Sequence, residues 1–369
     1  MSVAMDSYRP LYPPKPAGLR RYHEQFATVA IFAFMALLPW VPILGWTDIF
    51  DSSGDYGRGN LAHVFAFGVA AVGFNLLVGY SGTLGLAVAG LFAIGAYGTA
   101  VLTGPSDARE QIVGYDWPFF LALPVVCLAA AIIGVLVGFP AARLKGFFLA
   151  IATLALGFLI IDIIRLDDKV WSGLKTNGGT GKQVSLFLIP GLDRVLSVYM
   201  LSLGAFMLIM VSYVILTKSR LGRTLKAVRD IDIATGPLGI SSTYYKLVAF
   251  GLSAFAAALG GAMWAQNYAF ANPSSFKTRM LVYLLVVLIV GGLGRKWGPL
   301  IGALFFVYLR QRLQETQKLL FLLLGIVLML TVLVLPSGLA SLPKRIRDSR
   351  GVKDLQRRLE SLMSLSPWA

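Results

Sequence analysis

Long apolar runs separated by short polar segments make up most of the chain. Residues 26–46, 61–79, 82–103, 117–139, 147–165, 195–217 and 247–268 are each oily enough to cross a bilayer, where about 20 apolar residues suffice. Shorter apolar stretches, 280–293 and 298–309, flank "GGLGRKWGP", and 319–335 closes the series. The pattern predicts an all-α polytopic membrane bundle of about 8–10 transmembrane helices. The ambiguous part is 280–309, which reads as two short spans, a re-entrant hairpin or one kinked helix. The expected organisation is a cytoplasmic N-terminal segment at 1–25, a membrane domain at 26–343 interrupted by a polar loop at 218–246, and a basic tail at 344–369.

Charge gives these spans a direction, because Lys and Arg are retained on the cytoplasmic side. With Arg9, Lys15, Arg20 and Arg21 inside, the loops at 47–60 and 104–116 fall outside, and both are more acidic than basic. Arg143 and Lys145, the loop 218–246, Arg295–Lys296 and the basic tail then fall inside. One kinked helix over 280–309 would move that tail outside, so two short spans or a hairpin fit better. The misfit is "RQRLQETQK" at 310–318, a basic segment placed outside. The expected topology is N-in and C-in, multi-pass.

Composition sharpens the class. The chain is 57% hydrophobic and only 14% charged, with a mean hydropathy of +0.72, whereas soluble domains carry about 25% charged residues. The net charge of +15 sits in short segments between or beyond the oily runs, which suits orientation signals rather than a groove for nucleic acid. Cys127 is the only cysteine and His23 and His63 the only histidines, so a disulfide framework or a Cys/His metal cluster is not expected.

Chemistry inside the spans is sparse. Ionisable groups deep in a bilayer usually mark proton or ion coupling, but Asp162 and Arg165 lie near a span end, and the second span offers only His63 and Asn75 as polar points. That argues against a proton-driven pump and leaves sodium coupling open. "TNGGTGKQ" at 176–183 misses the phosphate-loop pattern at both ends, at Thr176 and Gln183, and falls in an outer loop without the required strand and helix. No catalytic set assembles on one side of the membrane, so an enzyme is not expected. Small residues recur every four positions at Ser81, Gly85, Ala89 and Ala93, at Ala254, Ala258 and Ala262, and at Gly294, Gly298 and Gly302. They read as faces for close helix packing.

The loop "KSRLGRTLKAVRDIDIATGPLGISSTYYK" at 218–246 stands apart from all this. Leu221, Leu225 and Val228 share one face of a short helix, with Arg223, Lys226 and Arg229 around it. Such a basic amphipathic helix can rest on membrane lipids. Its second half, "IDIATGPLGISS", turns small and apolar, which suits a docking surface for another protein. In the tail, Val352, Leu355, Leu359 and Leu362 form a similar apolar stripe.

"SRLGRTLKAVRDIDIATGPLGI" at 219–240 resembles the cytoplasmic loop of branched-chain amino acid ABC transporter permeases of the LivM type. "NLLVGYSGTLGLAVAGLFAIGAYGTAVL" (75–102), "RLKGFFLAIATLALG" (143–157), "YKLVAFGLSAFAAALGGAMWA" (245–265), "NPSSF" (272–276), "VVLIVGGLGRKWGPLIGA" (286–303) and "VLPSGL" (334–339) extend the resemblance in order. It implies a permease subunit in the bacterial inner membrane, paired with a second homologous permease, two ABC ATPase subunits and an extracytoplasmic solute-binding protein. ATP and Mg would be held by the partner ATPases, with no cofactor in this chain. It also implies a coupling element over Asp230, Asp232, Ala234, Gly236, Pro237, Gly239 and Ile240 that receives the ATPase stroke. The expected pathway residues are Asn75, Ser81, Thr83 and Thr153, weakly polar and suited to a neutral or zwitterionic solute. Gly236–Pro237 stands where the family has an acidic-then-small pair, and "GGTGKQ" lacks the family's Asp. The wider family carries urea, short amides and aromatic acids as well as branched-chain amino acids. An ion-coupled secondary transporter is the alternative from a different class.

Overall fold

The structure, a computed structural model, describes Met35 and residues 54–104, 115–144, 146–166, 174–176, 179–190, 192–230, 240–276, 278–313, 317–334 and 338–341. The expected first span at 26–46, apart from Met35, and both terminal segments lie outside them. The chain divides into Met1–Trp46 and Thr47–Ala369, and the bundle belongs to the second unit.

Its helices are α1 (Gly54–Asn75, continued by a π-helical turn Leu76–Tyr80), α2 (Val88–Thr103), α3 (Phe119–Ala141), α4 (Phe147–Leu166), α5 (Arg194–Lys218), α6 (Arg220–Asp230), α7 (Ser242–Tyr268), α8 (Thr278–Gly291), α9 (Gly298–Arg312) and α10 (Gln317–Val334). Among the described residues, five helices are long and apolar enough to cross a membrane: α1 with its π-helical turn, α3, α4, α5 and α7. The apolar windows of α1 and α7 are 83% and 78% buried, against 33% in α3, α4 and α5. The bundle therefore has a core pair, and its outer helices turn apolar side chains such as Leu121, Ile132, Leu136 and Phe148 outward. In a chain this oily, that outward face meets lipid or another subunit.

α7 is central because its sequence is small. It packs on α1, α2 and α3, and Ala254, Ala258 and Ala262 are fully buried. A Cβ on Gly261 would strike the Phe92 carbonyl of α2, so the two backbones meet directly, as small-residue faces allow in lipid. Ser241 starts the helix by accepting the Tyr244 N–H at 3.4 Å, an N-cap in the usual sense. The other two small-residue stripes are only partly helical. Ser81 caps the π-helical turn that ends α1, Gly85 precedes α2 in a non-helical stretch, and Gly294 occupies a turn at φ +70°.

The region 280–309 folds as two short antiparallel-running helices, α8 and α9, of 14 and 15 residues. At 1.5 Å per residue each is roughly 21–23 Å long, short of the ~30 Å hydrocarbon core. They pack together and on α1, which excludes one kinked helix. The turns of the bundle sort into two ends. At one end Asn75, Gly79, Arg229, Gly294, Arg295 and Ala340 are hydrogen-bonded neighbours. At the other, Trp117 N–H donates to Leu102 O, Val184 N–H to Ala269 O, and Arg310 to Tyr268. These are the inner and outer sets expected from charge, and Arg310 of the misfit segment sits with the outer set.

The outer end carries the one departure from an all-helical reading among the described residues. β1 (Leu174–Thr176), β2 (Gly179–Gln183) and β3 (Phe270–Ala271) form a small antiparallel sheet in the order β1-β2-β3. Of "TNGGTGKQ", Thr176 and Gly179–Gln183 are thus strand residues, with Thr176 opposite Gly179 in antiparallel pairing. The segment lacks the strand-to-helix geometry of a phosphate loop.

Candidate functional site

The polar residues at the inner end all answer the same physical demand. A helix that stops leaves carbonyls without intrahelical partners, and α1 stops where water is scarce. Its π-helical turn lets the Ser81 N–H reach Leu76 O. The Ser81 hydroxyl donates to Leu77 O at 2.7 Å, with the Thr83 hydroxyl 2.5 Å from it. The Gly79 carbonyl is taken by the Arg229 guanidinium, from the far end of α6. A cation at a helix C-terminus is favourable for the macrodipole as well.

Asn75 closes the other side of the junction. Its Nδ2 donates to Tyr213 Oη and to Arg295 O, each at 3.0 Å, and its Oδ1 accepts the Gly294 N–H at 2.7 Å. The side chain is fully buried, so this amide ties α1 to α5 and to the α8–α9 turn. The fit is tight: a Cβ on Gly79 would lie 2.6 Å from both Asn75 Oδ1 and Gly294 N. The Tyr80 ring meets Tyr213 edge-on at 5.7 Å and receives Lys226 Nζ at 4.9 Å.

Between α1 and α2 the chain is not helical, although the apolar pattern predicts a span from residue 82. Gly82 adopts φ +68°, and Gly82 and Leu84 are exposed. Thr153 of α4 holds the stretch: its hydroxyl accepts the Leu86 N–H at 3.0 Å and lies 3.2 Å from Leu84 O. Irregular backbone at membrane depth occurs where it is buried in protein or lines a cavity. Thr153→Val is expected to cost about 1–2 kcal/mol, the usual penalty of a buried N–H left without its partner. Hydrogen–deuterium exchange should show faster exchange at Leu86, with α4 itself unchanged.

The four expected pathway residues are thus brought to one end of the bundle. Asn75, Ser81, Thr83 and Thr153 are all buried, with Ser81 and Thr83 in mutual contact and Thr153 bonded to the same break. Of the expected coupling element, Asp230 ends α6, exposed, 3.8 Å from Arg229 Nε. Ile240 is half-buried just before the Ser241 cap. Asp232, Ala234, Gly236, Pro237 and Gly239 lie outside the described residues. On α6, Leu225 and Val228 of the expected apolar face are buried in the protein, with Gly222 as the third buried position, while Leu221 stays 37% exposed. A Cβ at Gly222 would come 2.5 Å from the Leu216 and Thr217 carbonyls, so α6 lies against the end of α5.

Sequence reasoning missed Arg229 as a bonding partner, because it looks like any other cation of the basic helix. It also missed Gln266, fully buried in α7, whose amide bonds Phe187 N–H and Ser185 O at the outer end. A lone Gln in an Ala-rich span was the signal available. Among the described residues no group of three or more His, Cys, Asp or Glu could hold a metal ion.

A multi-pass bundle with a basic helix fastened to its inner end, and a broken span beside that fastening, is a membrane transport subunit. Residues 59–333 match the family described as branched-chain amino acid transport system / permease component, and the chain belongs to that family. It is similar to the high-affinity branched-chain amino acid transport system permease protein LivM of Salmonella typhimurium, 30% identical, covering 73% of this chain and 67% of the relative. The Escherichia coli LivM protein is 29% identical over the same shares. The ribose import permease protein RbsC of Haemophilus influenzae is 26% identical, covering 65% of this chain and 73% of that one. No solved structure matches. The chain is a permease subunit of an ABC importer, multi-pass in the bacterial inner membrane.

Proposed function

We propose that this permease moves branched-chain or related hydrophobic amino acids inward, driven by ATP hydrolysed with Mg in two separate ATPase subunits. A second homologous permease completes the pathway, and an extracytoplasmic solute-binding protein delivers the solute. The ATPases dock on residues 230–240, at the end of α6. The observation that carries this reading is the fastening of α6 to the α1–α2 break through Arg229 and Gly79, which gives an inner docking surface a route into the membrane bundle. The similarity to LivM proteins supports the solute class.

The pathway runs along the break, where Ser81, Thr83 and Thr153, with Asn75 beneath them, present hydroxyls and an amide but no charge. Solute passage exchanges some of their internal hydrogen bonds for bonds to a zwitterion, and the exposed Gly82 and Leu84 face the second permease. The test is uptake by the complete assembly in liposomes with labelled leucine, isoleucine or valine, against ribose and urea as competitors. Leucine uptake that excess ribose and urea leave unchanged fits the reading. Uptake of ribose or urea in preference to the amino acids would overturn the solute class.

A further inference from the structure

Arg229 holds the cytoplasmic helix to the break rather than to the membrane surface. Its guanidinium donates to Gly79 O, and its stem runs over Gly82, where an added Cβ would lie 2.8 Å from Arg229 Cγ. Gly294 lies on the other side: a Cβ there would be 3.8 Å from the Arg229 guanidinium nitrogen and 3.5 Å from Gly79 O. One side chain therefore spans three chain segments, the π-helical turn, the start of the break and the α8–α9 turn. The neighbouring cations of α6 engage differently: Arg223 bonds the Lys218 carbonyl of the preceding turn, at 3.3 Å, and Lys226 lies over the ring of Tyr80, the last residue of the same π-helical turn, without a hydrogen bond to its backbone among the described residues.

The acceptor is as particular as the donor. A π-helical turn is a strained, uncommon device that clusters at functional positions, and here it sets the direction of the Gly79 carbonyl. Gly79, Gly82 and Gly294 are all residues whose backbone admits the guanidinium and its stem at close range, the last two at positive φ. Next to them Asn75 joins the same turn to α5 and to the α8–α9 turn.

Resting on the importer reading above, we propose that Arg229 is the positioning residue that transmits displacement of α6 to the α1–α2 break. The α6 helix is buried along Gly222, Leu225 and Val228 against α5 and α7, so it moves as a piece. Its last turn carries the break with it through the Arg229–Gly79 bond. Without that bond the ATPases still cycle, but α6 moves without drawing the pathway residues along.

The test uses the complete importer, with both permeases, both ATPases and the binding protein, in liposomes, and reads solute uptake and ATP hydrolysis on the same sample. For Arg229→Gln, uptake is expected to fall about tenfold while hydrolysis stays within about twofold of wild type, the loss of one charge-assisted hydrogen bond from a two-ended contact. Arg223→Gln removes the same charge from the same helix and is expected to leave both readouts unchanged. A merely structural role for Arg229 predicts instead that hydrolysis, uptake and the amount of folded assembly fall together. That result overturns the proposal, as does an uptake loss in Arg229→Gln below about threefold or an equal loss in Arg223→Gln. If the wild-type assembly takes up no solute at all, the importer reading fails and this proposal with it. An active wild type beside an equally active Arg229→Gln removes this proposal alone.

Discussion

Asn75→Leu is expected to destabilise the described bundle strongly. Leucine matches the volume but offers no hydrogen bond, so Arg295 O and Gly294 N–H lose this partner together, and Tyr213 Oη, which also bonds Tyr80, loses one of its bonds. Each such group left unsatisfied in a buried site costs about 1–3 kcal/mol, somewhat less in membrane bundles where alternative partners are found. A loss on the order of 3 kcal/mol is therefore expected, read as a lowered midpoint of thermal unfolding in detergent and a smaller folded yield. Asn75→Asp keeps an acceptor for Gly294 N–H but cannot donate to Arg295 O and buries a charge there, so it should destabilise at least as much. An Asn75→Leu protein with wild-type stability would show that the junction does not hold the inner end together.

Gly239→Trp is expected to abolish transport by a different route. If residues 230–240 lie in the docking surface, an indole there forces bulk into a packed contact, at about 1–3 kcal/mol, or roughly ten- to a hundredfold in affinity. The isolated permease should be as stable as wild type, while ATPase copurification and uptake are lost. Unchanged association and uptake would place the docking surface elsewhere.

The spans and their sides were legible because lipid imposes a simple rule: apolar stretches must be about a bilayer long, and cations mark the inside. Seven of the expected runs reappear closely as described helices, from Phe119–Ala141 to Gln317–Val334. The start of α2 was not legible. Residues 82–87 are as apolar as a helix, and only the positive φ of Gly82 and the Thr153 bonds make them a break. The outer sheet was hidden for a related reason. Its strands are two to five residues long, too short for alternation to register, and β2 meets β3 across about ninety residues of chain.

The site was half legible. Asn75, Ser81, Thr83 and Thr153 stood out as polar points in oily runs, and they do gather at one end. What Asn75 and Thr153 bond depends on tertiary contacts 67 to 220 residues apart in the chain, which periodicity does not encode, whereas Ser81 and Thr83 bond within six residues of themselves. Arg229 was concealed by its neighbours, since Lys218, Arg220, Arg223 and Lys226 give the same charge signal, and charge does not reveal that Arg229 bonds a backbone carbonyl at the α1 terminus.

This chain is expected to move solute only when partner subunits hydrolyse ATP. The direct measurement is leucine uptake into liposomes holding this chain alone, or the complete assembly with ATP, or the complete assembly with a non-hydrolysable ATP analogue. Accumulation is expected in the second case only. Accumulation by the chain alone, or by the assembly without hydrolysis, would contradict this expectation and favour an ion-coupled transporter.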